Sequence, residues 1–413
     1  MDLLRFLTAG NVDDGKSTLI GRLLFDSESV STDILQAIEK ASKGAKNGMD
    51  IDLSLLTDGL RAEREQGITI DVAYKYFTTD KRKFIIADTP GHVQYTRNMV
   101  TGASNSNLAI ILIDARNGIT EQTCRHSGIS SMFGIQHLVV CVNKIDLMNY
   151  SEKVFDDIVA AYKAFAKKLN VKDIVYIPVS AKNGDNVVIR SEKMPWYTGK
   201  TLLEHLETVE VDNDNNFTYA RFPVQYIIRP QEDKLHDYRG YAGKVVSGIF
   251  KKGDAVEIYP AGLSSRIKEI EIAEKEIQET FAPQSVVIHL EDDIDISRGD
   301  LIAKKDNSIS VTQDVEATVC WMNERPLNVG AKLLLRHHGK SVKAAVRDVL
   351  YKINVNSLDN IEGEKTVALN EIARIQLRTA SPIAIDTFKN NRANGCFILV
   401  DENTNDTVGG CVV

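Results

Sequence analysis

Cysteine is scarce in this chain of 413 residues, and none of the five (Cys124, Cys141, Cys320, Cys396, Cys411) stands in a C-x-x-C pair. Neither a zinc cluster nor a disulfide framework is indicated, and a reduced, cytoplasmic compartment is the simpler expectation. Long apolar runs are also missing. The opening MDLLRFLTAG is far too short to span a bilayer. It leads straight into a glycine loop, so it reads as a first strand rather than a signal peptide. The final GGCVV puts Cys411 third from the end, where a prenylation box requires the fourth position. No membrane partner is expected. Positive charge is in deficit, with 50 Lys and Arg against 57 Asp and Glu and a net charge of −7. That balance argues against a surface built to grip nucleic acid.

What is present is ordinary for a soluble globular protein: 43% hydrophobic and 26% charged residues. The length suggests two or three domains. In the first half, the apolar runs LLRFLTA, KFIIAD, NLAIILID, HLVVCVN and IVYIPVS alternate with helical patterns such as KSTLIGRLLF and FDDIVAAYKAFAKKL. Strand and helix in alternation predict an α/β domain, a mostly parallel sheet with helices on both faces. DVAYKYFTT, just before KFIIAD, predicts a hairpin partner at the sheet edge. The polar stretch EVDNDNNFT, Glu210 to Thr218, reads as a linker. Beyond it, short β-rich runs separated by turn residues predict two antiparallel β-barrels, with a break near Lys305 to Ser310. The expected domains are 1–210, 217–307 and 310–413.

The chemistry lies mostly in the first domain. Gly10-Asn11-Val12-Asp13-Asp14-Gly15-Lys16-Ser17, followed by Thr18, fits G-x-x-x-x-G-K-[ST] between a strand and a helix. Its backbone N–H groups would cradle a β-phosphate at the helix N-terminus. Lys16 would reach the β- and γ-phosphates, and the Ser17 hydroxyl would ligate Mg²⁺. Asp88-Thr89-Pro90-Gly91 follows the strand KFIIA. Alone it would be an ordinary turn, but behind a phosphate loop Asp88 is expected to hold Mg²⁺ and Gly91 to approach the γ-phosphate. Asn143-Lys144-Ile145-Asp146 ends another strand, and a carboxylate at Asp146 can accept from both N1–H and the N2 amine of guanine. Adenine lacks that donor pair, so the discrimination is large. Ser180-Ala181-Lys182 is the companion expected to bring a backbone N–H to guanine O6. The four motifs fall in order at strand C-terminal ends, where such sheets bind ligands. The nucleotide read from them is GTP.

Between these motifs, Arg64-Glu65-Gln66-Gly67-Ile68-Thr69 offers Thr69 as a switch threonine sensing Mg²⁺ and the γ-phosphate; the alternative is that Thr69 only begins a strand. His92, next to Pro90-Gly91, is the candidate for orienting the attacking water. No arginine finger is identifiable, so intrinsic hydrolysis should be slow until a partner completes the site.

The set from Gly10 to Ser17, with Arg64 to Thr69, Asp88 to His92 and Asn143 to Asp146, resembles the translation-factor class of GTPases. With two barrels following, the layout is similar to elongation factor Tu. LLTDGLRAEREQGITIDVAYKYF, KFIIADTPGHVQYTRNMVTGAS and GDNVV are more similar to the GTPase subunits of bacterial heterodimeric sulfate adenylyltransferases. So are FPVQYIIRP, DYRGYAGKVVSG and EDDIDISRGDLI in the second domain and CWMNERPLNVGAKLLLRH in the third. The resemblance covers essentially the whole chain, and its barrel motifs are the most specific part, because binding GTP does not need them.

The resemblance implies a smaller catalytic partner that moves the adenylyl group of ATP onto sulfate, giving adenosine 5′-phosphosulfate and pyrophosphate. GTP hydrolysis would drive that uphill step. It also implies a monovalent cation near Asp13. Relatives are expected to carry a longer segment before the first strand, so part of a subunit contact is expected to be missing or built differently. No second phosphate loop follows GGCVV, so no fused adenosine 5′-phosphosulfate kinase is expected. Two other readings stay open on the GTPase motifs alone: a translation factor delivering aminoacyl-tRNA, and a stand-alone GTPase switch. The barrel motifs and Asp14 favour sulfate activation. The clusters Arg336-His337-His338 and Arg221 to Tyr226 read as barrel surface.

Overall fold

The structure is a computed structural model that describes residues 2–27, 53, 71–92, 95–211, 217–230, 238–305 and 309–413. It forms two compact units, Met1–Val211 with Asn354–Asp359 and Asp212–Ile353 with Asn360–Val413. Among the described residues, no helix is long and apolar enough to cross a membrane.

In the first unit β1 (Asp2–Ala9) leads to α1 (Lys16–Asp26), and β2 (Ala73–Thr78) turns back into β3 (Arg82–Asp88). There follow α2 (Thr96–Ser104), β4 (Leu108–Asp114), α3 (Glu121–Met132), β5 (His137–Asn143), α4 (Glu152–Ala166), β6 (Asp173–Pro178) and α5 (Leu202–Thr208). The sheet order is β2-β3-β1-β4-β5-β6. All neighbours run parallel except β2, which pairs antiparallel with β3 at the edge, as DVAYKYFTT predicted.

Every residue of β4 and β5 is buried, the uniform apolar signature of a sheet covered on both faces. Leu4, Phe6, Leu108, Ile110 and Leu112 join Leu19, Ile20 and Leu23 of α1 in one cluster. The alternating residues Leu7, Ala109, Ile111 and Ile113 point to the opposite face and are equally buried. In α4 the buried Phe155, Ile158, Val159 and Tyr162 recur at helical spacing, behind a Ser151 cap.

Register decides where chemistry can gather. Thr8 pairs with Asp88 and Asp114 with Asn143, so the loops after β1, β3, β4 and β5 all leave the sheet at the same end.

In the second unit six strands close a barrel in the order Ala255–Tyr259, Leu301–Lys304, Arg221–Ile228, Gly240–Lys244, Ser285–Leu290 and Leu263–Ile272, the last pairing back to the first. A second ring runs Lys332–His337, Cys396–Val400, Thr407–Val412, Ser310–Trp321, Ile372–Ile385 and Lys340–Ile353, again closed on itself. Closure removes the exposed edges that open antiparallel sheets present.

One expectation is corrected here. Arg221 to Tyr226 is not simply barrel surface: residues 221 to 224 are buried, and only Gln225 and Tyr226 are exposed. Arg221 is wholly buried because its guanidinium meets the Asp386 carboxylate through two bonds, Nε to Oδ2 at 2.9 Å and Nη2 to Oδ1 at 3.0 Å. In the second cluster Arg336 is exposed, whereas His337 and His338 are half-buried, and His338 Nε2 donates to Asn394 Oδ1 at 2.9 Å.

Candidate functional site: a nucleotide cradle at the sheet end

Residues 10 to 15 curl between β1 and α1. Gly15 adopts φ 93°, and a Cβ there would lie 2.6 Å from Asn143 Nδ2, so glycine is required by both backbone and space. The Asp14 carboxylate folds back inside the loop and accepts from Asn11 N–H at 2.6 Å. Burial raises its pKa, against that hydrogen bond and the nearby Lys16. The Lys16 ammonium donates to the carbonyls of Gly10 (2.8 Å) and Asn11 (2.9 Å). Burial lowers its pKa, although Asp88, Asp14 and Asp13 lie close enough to oppose the shift. A buried cation bonded to neutral carbonyls can gain strongly from an anion. Ser17 and Thr18 are half-buried in the first turn of α1, and the Ser17 hydroxyl has no partner among the described residues.

The loop after β3 closes on the same place. Asp88 is buried and accepts from the Thr8 hydroxyl at 3.1 Å, while the Thr89 hydroxyl donates to the Thr8 carbonyl at 2.6 Å. Gly91 lies directly on the loop between β1 and α1: a Cβ would come within 2.5 Å of Lys16 Nζ and 2.6 Å of the Gly10 carbonyl. Gln122 of α3 donates to the Gly91 carbonyl at 2.9 Å. His92 follows as an exposed residue with its ring 6.2 Å from that of Tyr95. Thr69, with all of Arg64 to Thr69, lies outside the described residues.

The third wall comes from the ends of β5 and β6. Asn143 Nδ2 donates to the Asp14 carbonyl at 2.8 Å, and Asn143 Oδ1 accepts from Ala181 N–H at 2.9 Å. Lys144, at φ 59°, bonds the Asp13 carbonyl and forms an ion pair with Asp114 at 3.0 Å. Asp114 is pushed down to about 2; burial works against the shift, but hydrogen bonds from Arg116 and Lys144 outweigh it. Asp146 sits half-buried in the one-turn 3₁₀ helix Ile145–Met148, and its carboxylate has no partner among the described residues. Ser180 is buried and its Oγ accepts from Asn183 N–H at 3.4 Å. Lys182 is exposed, one residue beyond the buried Ala181.

The structure thus gathers Gly10, Asn11, Asp13, Asp14, Gly15, Lys16, Gly91, Asn143, Lys144 and Ala181 into one contact network. Sequence reasoning missed four supports. Thr8, next to last in β1, and Asp114, the last residue of β4, lie beside Asp88 and Asn143 of the neighbouring strands, a signal available only from register. Gln122, and Arg22 of α1, whose guanidinium donates to the Ala181 and Lys182 carbonyls, are single polar residues on helices, with no local pattern to mark them.

Residues 1–212 match the Elongation factor Tu GTP binding domain, and residues 314–413 match the GTP-eEF1A C-terminal domain-like family. Sulfate adenylyltransferase subunit 1 of Bacteroides thetaiotaomicron is 51% identical over 415 residues, which is 98% of this chain and 85% of that protein. The chain belongs to the sulfate adenylyltransferase subunit 1 family. Its likeness to that family runs through both barrels and is not confined to the nucleotide motifs. The bifunctional enzyme CysN/CysC of Mycobacterium tuberculosis is 50% identical over all of this chain and 67% of its own length. A crystal structure of sup35 complexed with GDP covers 100% of this chain and 94% of its own at 22% identity, with a TM-score of 0.45.

Proposed function

We propose that this chain is the GTP-hydrolysing, energy-coupling subunit of a sulfate adenylyltransferase, working in the cytoplasm beside a smaller catalytic subunit. The observation that carries the reading is identity near one half along the whole chain, barrels included, to sulfate adenylyltransferase subunit 1 proteins. The domains are assigned as 1–210, 217–307 and 310–413.

In this reading the loop from Gly10 to Thr18 takes the β- and γ-phosphates, with Lys16 exchanging its two carbonyl partners for phosphate oxygens. Gly91 brings its backbone against the γ-phosphate end, because nothing larger fits beside Lys16 and Gly10. Asp146 reads the N1–H and N2 amine of guanine, and the Ser180-Ala181-Lys182 turn reads O6. The hard oxygen donors Ser17 and Asp88, joined by Thr69, suit Mg²⁺, which when bound neutralises phosphate charge. Asp13 is assigned a monovalent cation. His92 orients the attacking water.

Coupling requires that the GTP and GDP states of this chain differ in their affinity for the partner's states. Gly91 and Thr69 are the elements assigned to sense the γ-phosphate. The product, adenosine 5′-phosphosulfate, is a strained mixed anhydride, so its formation needs that input.

The test is product formation by this chain mixed with the small subunit, ATP and sulfate, with and without GTP. GTP-dependent product yield, with γ-phosphate released in step, supports the assignment. No effect of GTP, together with retention of aminoacyl-tRNA, overturns it in favour of a translation factor.

A further inference from the structure

Arg22 lies six residues after Lys16 on α1, about 9 Å further along the helix axis. Its side chain is four-fifths covered and reaches the turn after β6 rather than solvent. Nε donates to the Ala181 carbonyl at 3.2 Å, and Nη2 donates to the Lys182 carbonyl. Nη1 is held by Asp26, one turn on, at 3.4 Å. Gly184, at φ 84°, completes the turn with the Arg22 and Asp26 side chains in van der Waals reach of where a Cβ would stand.

The turn is therefore gripped from two sides. Asn143 takes the Ala181 N–H, and Arg22 takes the next two carbonyls. A peptide unit is planar and trans, so its N–H points opposite to its C=O. Fixing the Ala181 carbonyl against α1 fixes the direction of the Lys182 N–H, which belongs to the same plane. Lysine could not replace the fork, because its ammonium is a point charge on a flexible stem, whereas guanidinium presents planar donors to two acceptors.

We infer that Arg22 is a specificity-positioning residue: it aims the Ala181–Lys182 peptide at the O6 edge of guanine and ties that edge to the helix that begins at the phosphates. This rests on the guanine reading of Asp146 and adds a residue that does not touch the nucleotide.

The experiment compares the full chain with Arg22→Ala and Arg22→Lys, measuring affinity for GTP and for 6-thio-GTP. The thio analogue keeps the N1–H and N2 amine but replaces O6 by a weak sulfur acceptor. The wild-type chain should prefer GTP. Both variants should lose roughly tenfold in GTP affinity, the order of one hydrogen bond to a well-placed acceptor, with little change for 6-thio-GTP, so that the preference collapses. Equal loss for both nucleotides would assign Arg22 a merely structural role and overturn the inference, as would no loss. If Arg22→Ala does not fold, Arg22→Lys alone decides. Asp146→Asn run in parallel separates the two readings: failure of that variant to accept xanthosine triphosphate would undo the guanine assignment itself, independently of Arg22.

Discussion

The Asn143 carboxamide donates to the backbone carbonyl of Asp14, 129 residues earlier, at 2.8 Å, and its oxygen accepts the Ala181 N–H at 2.9 Å. One buried side chain thereby sets the spacing between the loop assigned to phosphate and the turn assigned to the base. Asn143→Ala should lose both bonds and leave two buried backbone groups unpaired, costing about 3 kcal/mol in total. Calorimetric titration should show GTP and GDP weakened alike, because the spacing between the two loops is common to both. Unchanged affinity for both would remove the strut from the account.

Gly91→Ala introduces a methyl group 2.5 Å from Lys16 Nζ and 2.6 Å from the Gly10 carbonyl. The lysine can move but the carbonyl belongs to a tight loop, so overpacking of about 1–3 kcal/mol is expected. Because the contact is on the side assigned to the γ-phosphate, GTP should weaken more than GDP. The GTP-to-GDP affinity ratio is the quantity to measure, and an unaltered ratio would count against that placement.

Asp146→Asn turns the carboxylate assigned to the base into a group that donates as well as accepts. Preference should move from GTP toward xanthosine triphosphate, whose C2 substituent is an acceptor. Competition binding with the two nucleotides checks it, and persistence of a strong GTP preference would mean that guanine is read elsewhere.

Asp114 holds Lys144 and has its pKa lowered to about 2. A carboxylate with a depressed folded pKa contributes stability that is present above its unfolded value near 4 and is lost as pH falls through about 2. Asp114→Asn should therefore be less stable than the wild type by a constant margin at pH 7 and pH 5, and the margin should narrow by pH 3. Urea unfolding at the three pH values reads this directly; a margin that grows on acidification would contradict the ion-pair account.

Asp386→Ala should take the carboxylate away from the fully buried Arg221 guanidinium, leaving its Nη1 bond to the Ala220 carbonyl at 3.1 Å, and destabilise the second unit by about 3–5 kcal/mol. Asn394, which also donates to Asp386 Oδ2 at 2.8 Å, loses its acceptor at the same time. The chain has two tryptophans. Trp321 is buried in the second barrel, so denaturant unfolding followed by its fluorescence in a Trp196→Phe background reports the loss. A shift below about 1 kcal/mol, the range of an exposed pair, would refute the buried-pair reading.

The two sides of the molecule were legible to different depths. Gly10 to Ser17 reads as a phosphate loop from eight consecutive residues, because glycine freedom, helix start and lysine placement are local properties. The antiparallel edge strand Ala73–Thr78 is equally local, being alternation beside a short turn. Arg221 was misread as surface because a lone arginine in a β-rich run is usually exposed. Only closing two rings brings Asp386, 165 residues away, to its fork.

By itself the sequence determined the nucleotide motifs, the order of sheet and barrels, and the family to which the chain belongs. Each of these is carried by contiguous residues whose spacing dictates backbone shape or burial. Tertiary structure alone decided that Asn143 spans two loops, that Arg22 grips a turn 159 residues distant, and that Arg221 is buried. Those pairings depend on strand register and helix packing, and a long polar side chain carries no local sign of the partner that the folded chain will bring to it.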